Sequence, residues 1–180
     1  MEERRVVQAY LGLGANVGNR RATLERAITL LLRRPGIRLL RISSLYETEP
    51  VDVGGGWFFN CVAEIETSLS PQQLFETLSQ VEEACGRPRT RGAGEARVVD
   101  IDLLLYGSEV IATPDLRVPH PRMHLRRFVL EPLAELAAGL RHPGLGLRVS
   151  DLLEKTPPVP EVRMVAGDWL PAPDRGGRMS

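Results

Sequence analysis

Two hydrophobic periods alternate along this chain, one of two residues and one of three to four. Residues 6–16, VVQAYLGLGAN, read as a strand. After them Leu24, Ala27, Ile28, Leu31 and Leu32 recur at helical spacing until Pro35 and Gly36 stop the helix. IRLLRISSLYETEP (37–50) and WFFNCVAEIETSL (57–69) are two further strands, divided by the turn-rich VDVGGG. A second helix is marked at both ends. Ser70 caps it, Pro71 takes its first position, Gln73 completes a capping box and Gly86 ends it, while Leu74, Leu78, Val81 and Cys85 line its core face. A loop rich in Gly and Arg then leads to the strand ARVVDIDLLLYG (96–107). The order β-α-β-β-α-β predicts an α+β, ferredoxin-like core: an antiparallel sheet with both helices on one face. SEVIATPDLRVPHP adds edge strands and VLEPLAELAAGL a further helix. These features place one domain over residues 1–155. The Pro- and Gly-rich residues 156–180 read as a tail that is draped on the surface or disordered.

Alternation within the strands assigns side chains to faces. Val99, Ile101, Leu103 and Leu105 form one unbroken apolar face, which meets the helices, so Asp100 and Asp102 point to the open face. On the preceding strand Phe59, Cys61, Ala63 and Ile65 go inward, leaving Phe58, Asn60, Glu64 and Glu66 on the open side. On the first strand Leu11 and Leu13 go inward, and Gly12 and Gly14 leave bare backbone outward. In the strand order 4-1-3-2 the first strand lies between the other two. The open face then carries a glycine floor, with two carboxylates on one flank and an aromatic beside an amide on the other. Desolvation and mutual repulsion both disfavour two charged carboxylates held side by side, so the pair reads as ligands for Mg²⁺ or Mn²⁺.

Composition narrows the chemistry. The formal net charge of +0 points to no nucleic-acid partner and no anionic membrane surface. No apolar run approaches membrane-spanning length, Cys61 and Cys85 fall at apolar positions as free thiols, and a cytoplasmic location is expected. Lys155 is the only lysine and no G-x-x-x-x-G-K-[ST] loop exists, so phosphate here is to be held by arginine or metal. GRPRTRGAGEAR supplies Arg87, Arg89, Arg91 and Arg97, which read either as a solvated basic loop or as a polyphosphate clamp whose glycines let it move. His120 and His124 have H-x-x-x-H spacing but no evident third zinc ligand. GLGANVG has the wrong spacing for a dinucleotide fingerprint.

Taken jointly, GLGANVGNR, SSLYETEPV, FFNCVAEIETSL, GRPR, RVVDIDLLLYG and VPHPRMHLRRFVLEPL make residues 9–140 resemble the 6-hydroxymethyl-7,8-dihydropterin pyrophosphokinase family of folate synthesis. The resemblance implies transfer of pyrophosphate from ATP to the pterin hydroxymethyl group with release of AMP, supported by two Mg²⁺ ions. It implies Asp100 and Asp102 as metal ligands, Phe58 and Phe128 as aromatic walls around the pterin, and Asn60, Thr48 and Val51 as its polar contacts. Arg87 and Arg97 match arginines that act on the phosphates during transfer, and Glu82, Arg89, Leu103, Arg117, His120 and Arg126 fall at nucleotide-side positions. This chain has AGEAR where the family usually has RWGPR, Glu49 where proline is common and Phe58 where tyrosine is common. A monomer is expected, with a dimer as the alternative. Two rivals share the fold: a palm-type nucleotidyl transferase or cyclase, and a non-catalytic small-molecule sensor domain. Neither explains Phe58 with Asn60 and the carboxylate pair together.

Overall fold

The computed structural model describes residues 5–50, 56–86 and 98–170. In chain order these form β1 (Val7–Ala15), α1 (Arg20–Leu32), β2 (Ile37–Ile42), β3 (Leu45–Thr48), β4 (Phe58–Thr67), α2 (Pro71–Ala84) and β5 (Asp100–Tyr106). There follow β6 (Ile111–Ala112), β7 (Arg117–Val118), a 3₁₀ turn at Met123–Leu125, α3 (Arg127–Ala137), α4 (Val149–Lys155) and β8 (Val162–Ala166). The sheet order is β5-β1-β4-β3-β8, with β2 also paired to β4. Since β2 and β3 together take the place of a single second strand, this is the 4-1-3-2 arrangement that the strand pattern predicts.

Local chemistry explains the element ends. Asn19 caps α1 by accepting from Ala22 N, and Gly36 turns the chain out of the helix at φ +83°. Both halves of the capping box on α2 form between Ser70 and Gln73. The expected single strand over 37–50 breaks at Ser43 and Ser44. There the Ser43 hydroxyl accepts from Val62 N at 2.9 Å while Ser43 N donates to Val62 O at 2.9 Å, so a side chain replaces one link of the backbone ladder.

Two cores flank the sheet. Leu11, Leu13, Cys61, Ala63, Ile65, Ile101 and Leu103 join Leu24, Ile28, Leu31, Leu74 and Leu78 of α1 and α2 in the first. Tyr10, Val62, Leu104 and Leu105 join Leu130 and Leu133 of α3 and Val149 and Leu152 of α4 in the second. Among the described residues the open face is therefore roofed by helices at one end. Leu105 does not stay on the helix-facing side with Leu103, because the β1–β5 register runs Leu11↔Leu103 and then Tyr10↔Leu105. The extra residue, Leu104, is a bulge that reverses the alternation beyond it, and Tyr106 enters the first core instead. The freed Leu104 carbonyl accepts from His120 N at 2.9 Å, which pins the 117–120 segment beside β5.

The C-terminal segment differs most from its composition-based reading as a surface tail. β8 extends the main sheet at β3 (Thr48↔Val162, Tyr46↔Met164), and Trp169 is 2% exposed within the first core. Its indole N–H donates to Ser43 O at 3.0 Å, and its carbonyl accepts from the Arg21 guanidinium at 2.8 Å. β6 and β7 pair with one another as a separate ribbon, so β8 is the edge strand that the main sheet gains.

Candidate active site

Register builds the site. β1 is central, and its Gly14 is opposite Asn60 of β4 on one side and Asp100 of β5 on the other. Gly12 is likewise opposite Val62 and Asp102. The glycines matter for space. A Cβ at Gly14 would come within 3.0 Å of Asn60 Oδ1 and 4.0 Å of the Phe58 ring, so only bare backbone leaves the amide where it is. Asn60 is buried and donates from Nδ2 to Thr48 Oγ1 at 2.7 Å, which fixes the amide orientation and turns Oδ1 toward the floor.

Above this floor is a cavity of about 400 Å³. Gly12, Gly14, Asp100 and Asp102 line it, together with Thr48, Phe58 and Asn60 from β3 and β4, and Arg126 and Phe128 from the entry to α3. The Arg126 guanidinium lies 5.6 Å from the centre of the Phe128 ring, within cation–π range. Arg127 also lines the cavity, but it is committed to Glu131 at 2.8 Å and to Thr156. Among the described residues Arg122 and Arg126 form no ion pair, which leaves two cations facing the cavity for an anion.

Several expected site residues stand elsewhere. Glu82 is buried on α2, and its carboxylate accepts from Ile101 N at 2.8 Å, so it braces β5 between the two aspartates from behind. Leu103 is 5% exposed in the helix-facing core and does not line the cavity. Arg117 on β7 and His120 also lie outside the lining. His120 is close enough to Asp102 for the carboxylate to act on it. Burial holds the imidazole pKa below its ordinary value, and the Asp102 charge partly restores it. His124 packs edge-on to His142 at 6.1 Å between ring centres, so the H-x-x-x-H spacing does not bring out a zinc site. Val51, Arg87, Arg89, Arg91 and Arg97 lie outside the described residues.

The strand pattern alone did not reveal Arg122, Leu125, Glu49, Pro157, Val159 and Pro160, all of which line the cavity. The basic run RMHLRRF held a signal for Arg122. For residues 157–160 the prolines pointed to a tail, and only the pairing of β8 with β3 brings that segment back to the site.

The donor set suits a hard cation. Asp100 and Asp102 offer only oxygen. That matches Mg²⁺, which takes one or two carboxylates and completes its octahedron with phosphate oxygens and water. Carboxylates, arginines, and an aromatic paired with an amide around one cavity are the chemistry of an enzyme that handles a polyphosphate beside a flat co-substrate.

Comparison with known proteins agrees. The chain belongs to the 7,8-dihydro-6-hydroxymethylpterin-pyrophosphokinase (HPPK) family, whose sequence profile matches residues 10–138. It is similar to the 2-amino-4-hydroxy-6-hydroxymethyldihydropteridine pyrophosphokinase of Bacillus subtilis, 44% identical over 71% of this chain and 77% of that one. The enzyme of the same name from Pseudomonas aeruginosa is 37% identical over 84% and 93% of the two chains. The folic acid synthesis protein fol1 of Pneumocystis carinii is 37% identical over 81% of this chain, which spans 20% of that longer protein. The crystal structure of wild-type Plasmodium falciparum HPPK-DHPS with pteroate superposes with a TM-score of 0.70 at 14% identity, over 86% of this chain and 45% of that one, a likeness of fold. The family uses ATP and Mg²⁺. Among the described residues no helix is long and apolar enough to cross a membrane.

Proposed function

We propose that the protein transfers pyrophosphate from ATP to the hydroxymethyl group of 6-hydroxymethyl-7,8-dihydropterin, giving AMP and the pterin diphosphate in folate synthesis. The observation that carries this reading is the register at Gly14, which sets Asn60 and Asp100 on either side of one bare backbone position beneath the cavity. A ring recognised at Asn60 would then present its substituent toward the carboxylates. Phe58 and Phe128 stack on the ring, and Asn60, held by Thr48, bonds its polar edge.

The reaction forms a bond from the hydroxymethyl oxygen to the β-phosphorus of ATP and breaks the bond from that phosphorus to the α–β bridging oxygen. AMP departs with the bridging oxygen and its bonding electrons, and the hydroxyl proton passes to water. Asp100 and Asp102 would hold Mg²⁺, two ions in this proposal, and the metal would supply positive charge to neutralise the triphosphate. Arg122 and Arg126 add positive charge from the α3 side. Arg87 and Arg97, which precede β5 in the sequence, act on the phosphates, and Arg89, Arg117 and His120 serve the nucleotide. Glu82 contributes by holding β5 in place, and Leu103 by anchoring that strand in the helix-facing core.

The test is product analysis. Incubation with ATP, Mg²⁺ and the hydroxymethyl dihydropterin should yield AMP and the pterin diphosphate in equal amounts. Release of inorganic pyrophosphate would indicate a nucleotidyl transferase or cyclase, and pterin binding without turnover would indicate a sensor domain. Either result would overturn the proposal.

A further inference from the structure

We infer that the segment 157–160, together with Leu125, is an apolar clamp for the flat ring that sets affinity for the pterin and not for ATP. This rests on the pyrophosphokinase reading above. Among the described residues the two most exposed large hydrophobic side chains are Val159, 69% exposed, and Leu125, 66% exposed. Both line the same cavity. Two apolar groups left in water at the mouth of a binding cavity lose that exposure when an apolar ring arrives.

The position of the segment says which substrate it meets. It leads directly into β8, at the sheet edge opposite β5, so the carboxylates and the clamp are on opposite flanks. Its neighbours on the near side are Thr48 and Asn60, the amide flank. Three of its four residues are proline, which fixes backbone φ and lowers the ordering cost on binding. Both ends are tied down. Arg127 donates to Thr156 O at 3.3 Å on one side, and on the other Glu49 N donates to Glu161 O at 3.1 Å before the β3–β8 ladder begins. Residues 157–160 lie beyond residue 138, where the match to the family profile ends, whereas Leu125 lies within it.

The experiment uses the full chain with Mg²⁺ and a non-hydrolysable ATP analogue. It titrates 6-hydroxymethylpterin and, separately, the nucleotide into wild type, Val159→Ser and Val159→Ile. Burying one valine side chain is worth about tenfold in a dissociation constant, so Val159→Ser should weaken pterin binding by about that factor. Val159→Ile should match wild type or bind more tightly. Nucleotide affinity should stay within about twofold. Because Val159 is exposed, melting temperature should not move, which separates a contact with the ring from a structural role. If wild type turns over and Val159→Ser binds pterin as well as wild type does, the clamp is wrong and the function stands. The clamp is also overturned if nucleotide affinity falls as far as pterin affinity. If wild type binds no pterin, the functional reading fails and the clamp falls with it.

Discussion

On the helix-covered face of the sheet Leu11, Leu13, Cys61, Ala63, Ile65, Ile101 and Leu103 are each at most 5% exposed and pack against α1 and α2. On the other face the same strands present Gly12, Gly14, Asn60, Asp100 and Asp102, and α3 and α4 cover only the end at Tyr10, Val62, Leu104 and Leu105. A period of two lets each strand carry both assignments. Gly and Asp are poor strand formers, and β1 and β5 tolerate them because the residues between them are buried on the far side. One face supplies stability, and the half-roofed face converts part of that stability into a polar cavity.

The carboxylate pair should show the largest effect. If Asp100 and Asp102 hold Mg²⁺ as proposed, Asp100→Ala and Asp102→Ala each remove an oxygen ligand, so kcat should fall by about 10³ or more. Melting temperature should change little, since both side chains lie on the face away from the main core. Steady-state turnover at saturating Mg²⁺, paired with thermal denaturation, checks this. Near wild-type turnover in both variants would remove the functional half of the contrast.

The two cores can be set against each other directly. Ile28→Ala on α1 and Leu130→Ala on α3 each empty a fully buried position and should each cost about 2–5 kcal/mol in urea denaturation. Only Leu130→Ala should also raise KM, because α3 carries Arg127 and Phe128 at its entry. Equal KM effects from both variants would mean that the faces are not separable.

These contrasts were unevenly legible in the sequence. The α2 capping box, the alternation that puts Asp100 and Asp102 on one face, and the glycine floor all follow from local chemistry and a period of two. The break at Ser43 did not show, because it depends on one hydroxyl replacing a ladder bond and leaves hydropathy unchanged. The bulge at Leu104 is a single-residue shift that moved Leu105 to the other core without altering composition. Residues 156–170 read as a tail because proline and glycine suppress both periods. What orders them is pairing with β3 and the burial of Trp169, contacts more than a hundred residues apart in sequence.

The floor allows a finer comparison. Gly14→Ala would bring a Cβ within 3.0 Å of Asn60 Oδ1, so the amide must move, and pterin affinity should fall by about fivefold. Gly12→Ala meets only the Leu104 side chain at 3.4 Å, an ordinary contact, and should bind pterin nearly as wild type does. Titration of both variants ranks the two positions, and equal losses would show that Asn60 is not what Gly14 accommodates.

The smallest effect distinguishes the layers that cover the two faces. The three histidines, His120, His124 and His142, all lie after β5, with the layer over the functional face and not with α1 or α2. His142 is buried, and its Nδ1 accepts from Gly144 N at 3.1 Å and Leu145 N at 3.0 Å, so it must be unprotonated there. Burial, and to a lesser degree His124, lower its pKa from the ordinary value. Between the lowered folded value and an unfolded value of about 6.5, the unfolded chain binds more protons than the folded one. Stability therefore rises with pH through that window, is complete above about 6.5, and is lost as pH falls through the folded value. Urea denaturation from pH 5 to 8 should show this slope. His142→Gln keeps an acceptor that does not titrate and should reduce the slope, leaving the share due to His120, whose pKa burial also lowers. An unchanged slope in His142→Gln would place the acid sensitivity elsewhere and end its assignment to His142.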